Sequence, residues 1–171
     1  MNTVRLFIVA LLLSFASSVT AQSLWQGTIY GMSLEQVKTV VPRAAPPAKP
    51  NRLADGSEEL LRLEDVELVN KKFAASFYFR TGKLSQVTLS LEKGHSFHEA
   101  MLVFDSLTEA LRAKYGHEIN RGTEKGVLNR ANAEWLSGRT NINLIAISVG
   151  EGAAILNINY QIRVAREADK L

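Results

Sequence analysis

Gly31-Met32-Ser33-Leu34-Glu35-Gln36-Val37 and, 63 residues on, Gly94-His95-Ser96-Phe97-His98-Glu99-Ala100 share one pattern, G-x-S-[apolar]-x-[Gln/Glu]-[apolar]. Each is a helix start. The serine caps the first turn, and the Gln or Glu three residues later reaches back to the backbone N–H of the cap. In the first copy Met32 and Val37 also stand where a hydrophobic staple is made. A pattern met twice at such a distance raises the question of whether the segments after each copy are repeated as well.

After the first start, a short helix over 33–41 with apolar Val37, Val40 and Val41 must stop before Pro42. Three strand-like runs come next, at 58–63, 72–80 and 83–92, the last two joined by a tight Thr81-Gly82 hairpin. After the second start, a longer helix reaches to about Lys114. Phe97, Met101, Phe104, Leu107 or Thr108, Leu111 and Tyr115 fall at helical spacing, and Gly116 is its stop. Three more runs come after it, at 131–136, 142–149 and 153–163, broken by 138–141 and by Gly150-Glu151-Gly152. The chain reads as α-βββ twice, over 31–93 and 94–162. The expected fold class is α+β: one antiparallel sheet with two helices packed on one face.

Outside these units lie three segments. Residues 1–21 have one early positive charge, an apolar run over 6–15, and small residues at Val19 and Ala21, the features of a secretory signal peptide. Removing those 21 of 171 residues leaves 150, and the expected location is periplasmic or secreted, with no stable membrane anchor after cleavage. Residues 22–30 form an N-terminal extension and 163–171 a tail. Inside the first unit, 42–57 holds all four prolines and Asp55-Gly56, which predicts a long exposed loop or a partly disordered one.

The Gly31-Met32-Ser33 start followed by Gln36-Val37 resembles the helix start of small bacterial envelope proteins of the SmpA/OmlA (BamE-like) group. The doubled helix-then-strands plan over 31–162 is similar to that of the β-lactamase-inhibitory-protein-like (BLIP-like) fold. The resemblance implies a curved sheet and a role in binding another envelope or periplasmic protein, and it carries over no binding residue. The lipidated cysteine of the first group and the disulfides of the second have no counterpart, because the chain has no cysteine.

The absence of cysteine also excludes a thiol nucleophile and a Cys-ligated zinc. With 20 Lys+Arg against 17 Asp+Glu and no clustering, nucleic acid is not an expected partner. His95 and His98 share a helix start, but His117 lies beyond the other end, so no three-His metal site is expected. Neither G-x-S motif is a nucleophile elbow. Glu134 beside Trp135 is the one acid-aromatic pair suited to a glycan groove, and strand alternation places the two on opposite faces. Catalytic residues, metal and cofactor are all expected to be none. The reading is a non-catalytic, inhibitor-like or assembly-accessory binding module; the alternative is a hydrolase acting on wall glycan or a small periplasmic substrate.

The binding face comes from alternation. Phe73, Phe77 and Phe79 share one side of their strand, and Val87, Leu89 and Leu91 one side of the next. In the last strand Leu156, Ile158, Tyr160 and Ile162 do the same. The opposite side then carries Ser76, Tyr78, Arg80, Gln86, Thr88, Ser90, Asn157 and Asn159, together with Gln161. This open, polar, weakly charged face with Tyr78 as an aromatic anchor is the expected recognition surface. The run 142–149 is apolar on both sides, which suits a central strand or one covered by a partner, and Trp135 is either a core residue, the favoured reading, or an exposed hot spot.

Overall fold

A computed structural model describes residues 23–163. Its elements are α1 (Leu34–Val40), β1 (Glu58–Leu68), β2 (Lys71–Arg80), β3 (Lys83–Leu91), α2 (Phe97–Tyr115), β4 (Asn120–Glu124), β5 (Arg130–Ser137), β6 (Thr140–Ser148) and β7 (Ala154–Ile162), with a 3-10 turn, Gly150–Gly152, before β7. The strands form one seven-stranded sheet in the order β1-β2-β3-β7-β6-β5-β4, every pairing antiparallel. The fold is therefore α+β with an antiparallel sheet. Each half is a meander that runs from the rim inward, and the last strands of the two, β3 and β7, meet in the middle.

Both helix starts form as the serines dictate. The Ser33 Oγ accepts from the Gln36 N–H and the Gln36 Oε1 from the Ser33 N–H at 2.8 Å; Ser96 and Glu99 repeat the arrangement, again with 2.8 Å on the return bond. The β2–β3 hairpin turns on Thr81 and Gly82, both at positive φ (49° and 73°), the twist that a two-residue antiparallel connection needs.

Inward side chains meet row by row. Phe77, Val87, Tyr160, Ile142 and Trp135 are partners across five adjacent strands, and Ala75, Leu89, Ile158, Leu144 and Ala133 make the next row. All are buried and belong to one hydrophobic cluster with Val37 of α1 and with Ala100, Val103, Phe104, Leu107 and Leu111 of α2. Trp135 is a core residue and not an exposed hot spot, with its indole N–H donating to the Gly116 carbonyl at 3.0 Å. The N-terminal extension closes one end: Leu24 and Trp25 are buried, and the Trp25 ring lies 6.2 Å from that of Phe77.

One expectation is corrected. The second half has an extra strand, β4, at the sheet's far edge. Its sequence, Asn-Arg-Gly-Thr-Glu, has no apolar alternation because its inward positions are Arg121 and Thr123. The Arg121 guanidinium lies over the Phe104 ring and pairs with Asp105 at 2.9 Å, so its charge is met by two residues of α2. The segment 42–57, a largely exposed loop, runs along the free edge of β1. Ala45 and Arg62 exchange both backbone hydrogen bonds (2.9 and 2.8 Å), the Asn51 carbonyl accepts from the Glu59 N–H at 2.9 Å, and Val41 and Ala44 are buried. Prolines cannot extend the sheet, yet the carbonyls and free N–H groups between them cover an otherwise exposed edge. The expected signal peptide and C-terminal tail lie outside the described residues, apart from Arg163.

Candidate functional site

The outward side of the sheet is polar in ordered rows. One row runs through all seven strands, Arg62–Ser76–Thr88–Asn159–Asn143–Glu134–Asn120, each residue the register partner of the next. Hydrogen bonds knit it together: Thr88 Oγ1 donates to Asn159 Oδ1 at 2.9 Å, Gln86 Nε2 to Thr88 Oγ1 at 2.8 Å, and Asn143 Nδ2 to Glu134 Oε1 at 3.0 Å. Among the described residues Asn143 Oδ1 is buried without a hydrogen-bond partner.

On the β2-β3-β7 part of this side lies a groove of about 790 Å³. Seven of the eight residues expected from the sequence line it: Ser76, Tyr78, Gln86, Thr88, Ser90, Asn157 and Asn159. Arg80 does not; it is exposed at the β2–β3 hairpin. The wall of the groove on the β1 side is the proline segment, through Lys49, Asn51 and Leu53, and the far end is made by Glu92, Lys93, Ala154 and Ile155. Glu92 is the single carboxylate among the lining residues, and no histidine is among them.

The face is not open as alternation implied. Tyr78 is only 6% exposed, and Ser76 and Thr88 are 5% exposed. Tyr78 is thus a floor residue rather than a projecting anchor. Burial, together with the nearby Glu59 charge, pushes its hydroxyl above the ordinary tyrosine range. The residues that remain reachable are Gln86, Ser90, Asn157 and Asn159, all half-buried. The apolar outer side of β6 is half-buried too, at Ile145 and Ile147, with Ile155 of β7 exposed beside Ile147.

What covers Tyr78 is a set of residues that periodicity does not reveal. Glu59 is fully buried although it faces the outer side, opposite Tyr78. Its carboxylate accepts from Arg62 Nε at 2.6 Å and Nη2 at 2.7 Å, and from the Asn51 backbone N–H and Nδ2, each at 2.9 Å. Burial alone pushes this carboxyl up; the hydrogen bonds from Arg62, Ser76 and Asn51, with the Arg62 charge, outweigh it and hold the group below the usual carboxylate range. Glu59 is thereby the fixed point that holds Asn51, and with it the groove wall. Beyond the wall a second cavity of about 340 Å³ separates Pro46, Pro47 and Pro50 from Leu60.

Other candidate chemistry is dispersed. Among the described residues no three His, Asp or Glu side chains gather to hold a metal ion. Trp135 turns inward while Glu134 faces outward, where its partner is Asn143. Among the described residues no helix is long and apolar enough to cross a membrane. Comparison with protein-family models, with curated proteins and with solved structures finds no match to this chain.

Proposed function

We propose that this chain is an exported, periplasmic or secreted protein-binding module that recognises another envelope protein through the groove on the outer side of its sheet. The observation that carries the reading is the groove itself. It is concave, and its floor is built from hydroxyl and amide side chains of three adjacent strands, with Gln86, Thr88 and Asn159 at its centre held by mutual hydrogen bonds. A pre-organised neutral donor and acceptor surface recognises a partner at a low ordering cost. One carboxylate and no histidine at the rim supply no acid–base pair, which supports recognition over hydrolysis. Within that class the module acts as an inhibitor-like protein or as an assembly accessory.

The same reading takes both helices as packed on one face and the two halves as tandem units. The paired capping boxes and the central meeting of β3 with β7 support it, and β4 is then an addition to the second unit.

Site-specific photo-crosslinking tests the role. A photo-reactive phenylalanine analogue at Ser90 or Gln86 is expected to give one and the same discrete protein adduct in cells that produce the chain. The adduct should be absent with the analogue at Glu109 on α2 and lost when Asn157→Arg fills the groove. Equal labelling from Glu109, or none from the groove positions, overturns the role.

A further inference from the structure

We infer that the ligand of this groove is an extended peptide segment with acidic flanks, gripped chiefly through its backbone; this rests on the recognition role proposed above. The spacing of the floor carries the inference. Gln86, Thr88 and Ser90 on β3 and Asn159 and Asn157 on β7 form two adjacent files, paired Thr88–Asn159 and Ser90–Asn157. Along each file the side chains recur every second residue, about 6.8 Å, which is also the repeat at which an extended chain presents amides to one side. An extended segment laid along β3 and β7 therefore stays in step with the floor.

Part of the floor is fixed and part is free. Thr88, Gln86 and Asn159 hold one another, whereas among the described residues Ser90 and Asn157 make no side-chain hydrogen bond. A side-chain amide carries both a donor and an acceptor, the complement of a peptide unit. The alternative polymer, a glycan, packs its sugar rings on exposed aromatic faces, and the aromatic ring in this groove, Tyr78, lies buried in the floor.

Charge decides the flanks. Lys49, Arg62 and Lys93 line the groove against Glu92 alone. Arg62 is engaged with Glu59, which leaves Lys49 on the loop wall and Lys93 beyond the end of β3 to meet carboxylates of the ligand. Such rim charges favour an acidic partner through encounter and register.

The probe is a labelled, end-blocked hexapeptide of alternating threonine and valine with a glutamate at each end, titrated into the purified chain. It is expected to bind. Its lysine-ended twin, and a twin N-methylated at alternate amides, should each bind at least about tenfold more weakly, the loss of two or three hydrogen bonds or ion pairs. Asn157→Ala with Ser90→Ala should weaken binding similarly at unchanged melting temperature, because neither side chain holds the fold. Lys49→Ala with Lys93→Ala should abolish the preference for glutamate. Equal binding of the N-methylated twin, no preference for glutamate, or binding of an N-acetylglucosamine hexamer in place of the peptides overturns the inference. If the hexapeptides fail while photo-adducts still form at Ser90, the backbone-reading inference falls and the recognition role stands; if the adducts are absent as well, both fall.

Discussion

Glu59 and Arg62 stand three residues apart in one β-strand and nevertheless share a face, with the guanidinium gripping the buried carboxylate through Nε at 2.6 Å and Nη2 at 2.7 Å. In a regular strand such residues point to opposite sides. Here Glu59 pairs with Tyr78 and Leu61 with Phe77, so Leu60 is one extra residue in β1. That bulge turns Glu59 outward while Leu61 keeps its place in the core. The groove wall depends on it, because Asn51 is held by the carboxylate so displaced.

Arg62→Met leaves the Glu59 carboxylate buried without its partner and is expected to destabilise the chain by about 3 kcal/mol. Adding Glu59→Leu to it should cost less than the sum of the two single changes, which denaturant titration of the four proteins of the cycle measures. Strict additivity would show that the pair does not act as a unit.

Asn51→Ala removes one donor to Glu59 and is expected to cost about 1 kcal/mol. Its larger effect is local. Segment 42–57 contains Arg43 and Arg52 as cleavage points, Lys49 being shielded by Pro50, and limited trypsin digestion should cut there several times faster than in the parent while the sheet stays intact. An unchanged rate would show that Glu59 does not hold the segment.

Glu118 should carry part of the stability that acid removes. Hydrogen bonds from Arg112, at 2.8 Å and 2.5 Å, hold its carboxyl at about 2, against 4.5 for the free group. A carboxyl depressed by folding adds stability that is complete above pH 4.5 and disappears as the pH falls from there to about 2. Melting temperatures taken across that window should fall less steeply for Glu118→Gln than for the parent. Parallel curves would remove Glu118 from the acid response.

Ser96→Ala deletes the cap of α2 and is expected to cost about 1 kcal/mol without changing the fold. Thermal unfolding followed by circular dichroism checks it. The Ser96→Asp variant should recover most of the loss, since aspartate caps equally well and favours the helix N-terminus.

Much of the frame was legible because it is local. Both capping boxes, the core parity of Phe73, Phe77 and Phe79, the inward turn of Trp135 and the polar parity of Asn157 and Asn159 come from side-chain chemistry and period. β4 was not legible, because an edge strand whose inward positions are Arg121 and Thr123 has no apolar rhythm. Of the groove, the floor residues were readable and their exposure was not. Alternation says which side Tyr78 faces and nothing about what lies over it. Lys49, Asn51, Leu53, Glu59 and Lys93 carried no periodic signal of their own. The sole hint at Glu59 was a second acid directly before an apolar pair.

The sequence alone determined two capped helices, the strands other than β4, and which side chains of those strands belong to the core, since each of these depends on neighbours within a few residues. Tertiary structure decided that the strands form one sheet with β3 beside β7 and that the proline segment lies along the free edge of β1. It also decided that a bulged strand turns Glu59 toward Arg62 and Asn51, closing one wall of the groove. The reason is physical: caps and periodicity are short-range, whereas an edge is covered, and a charge buried, only by groups that the chain brings back from a distance.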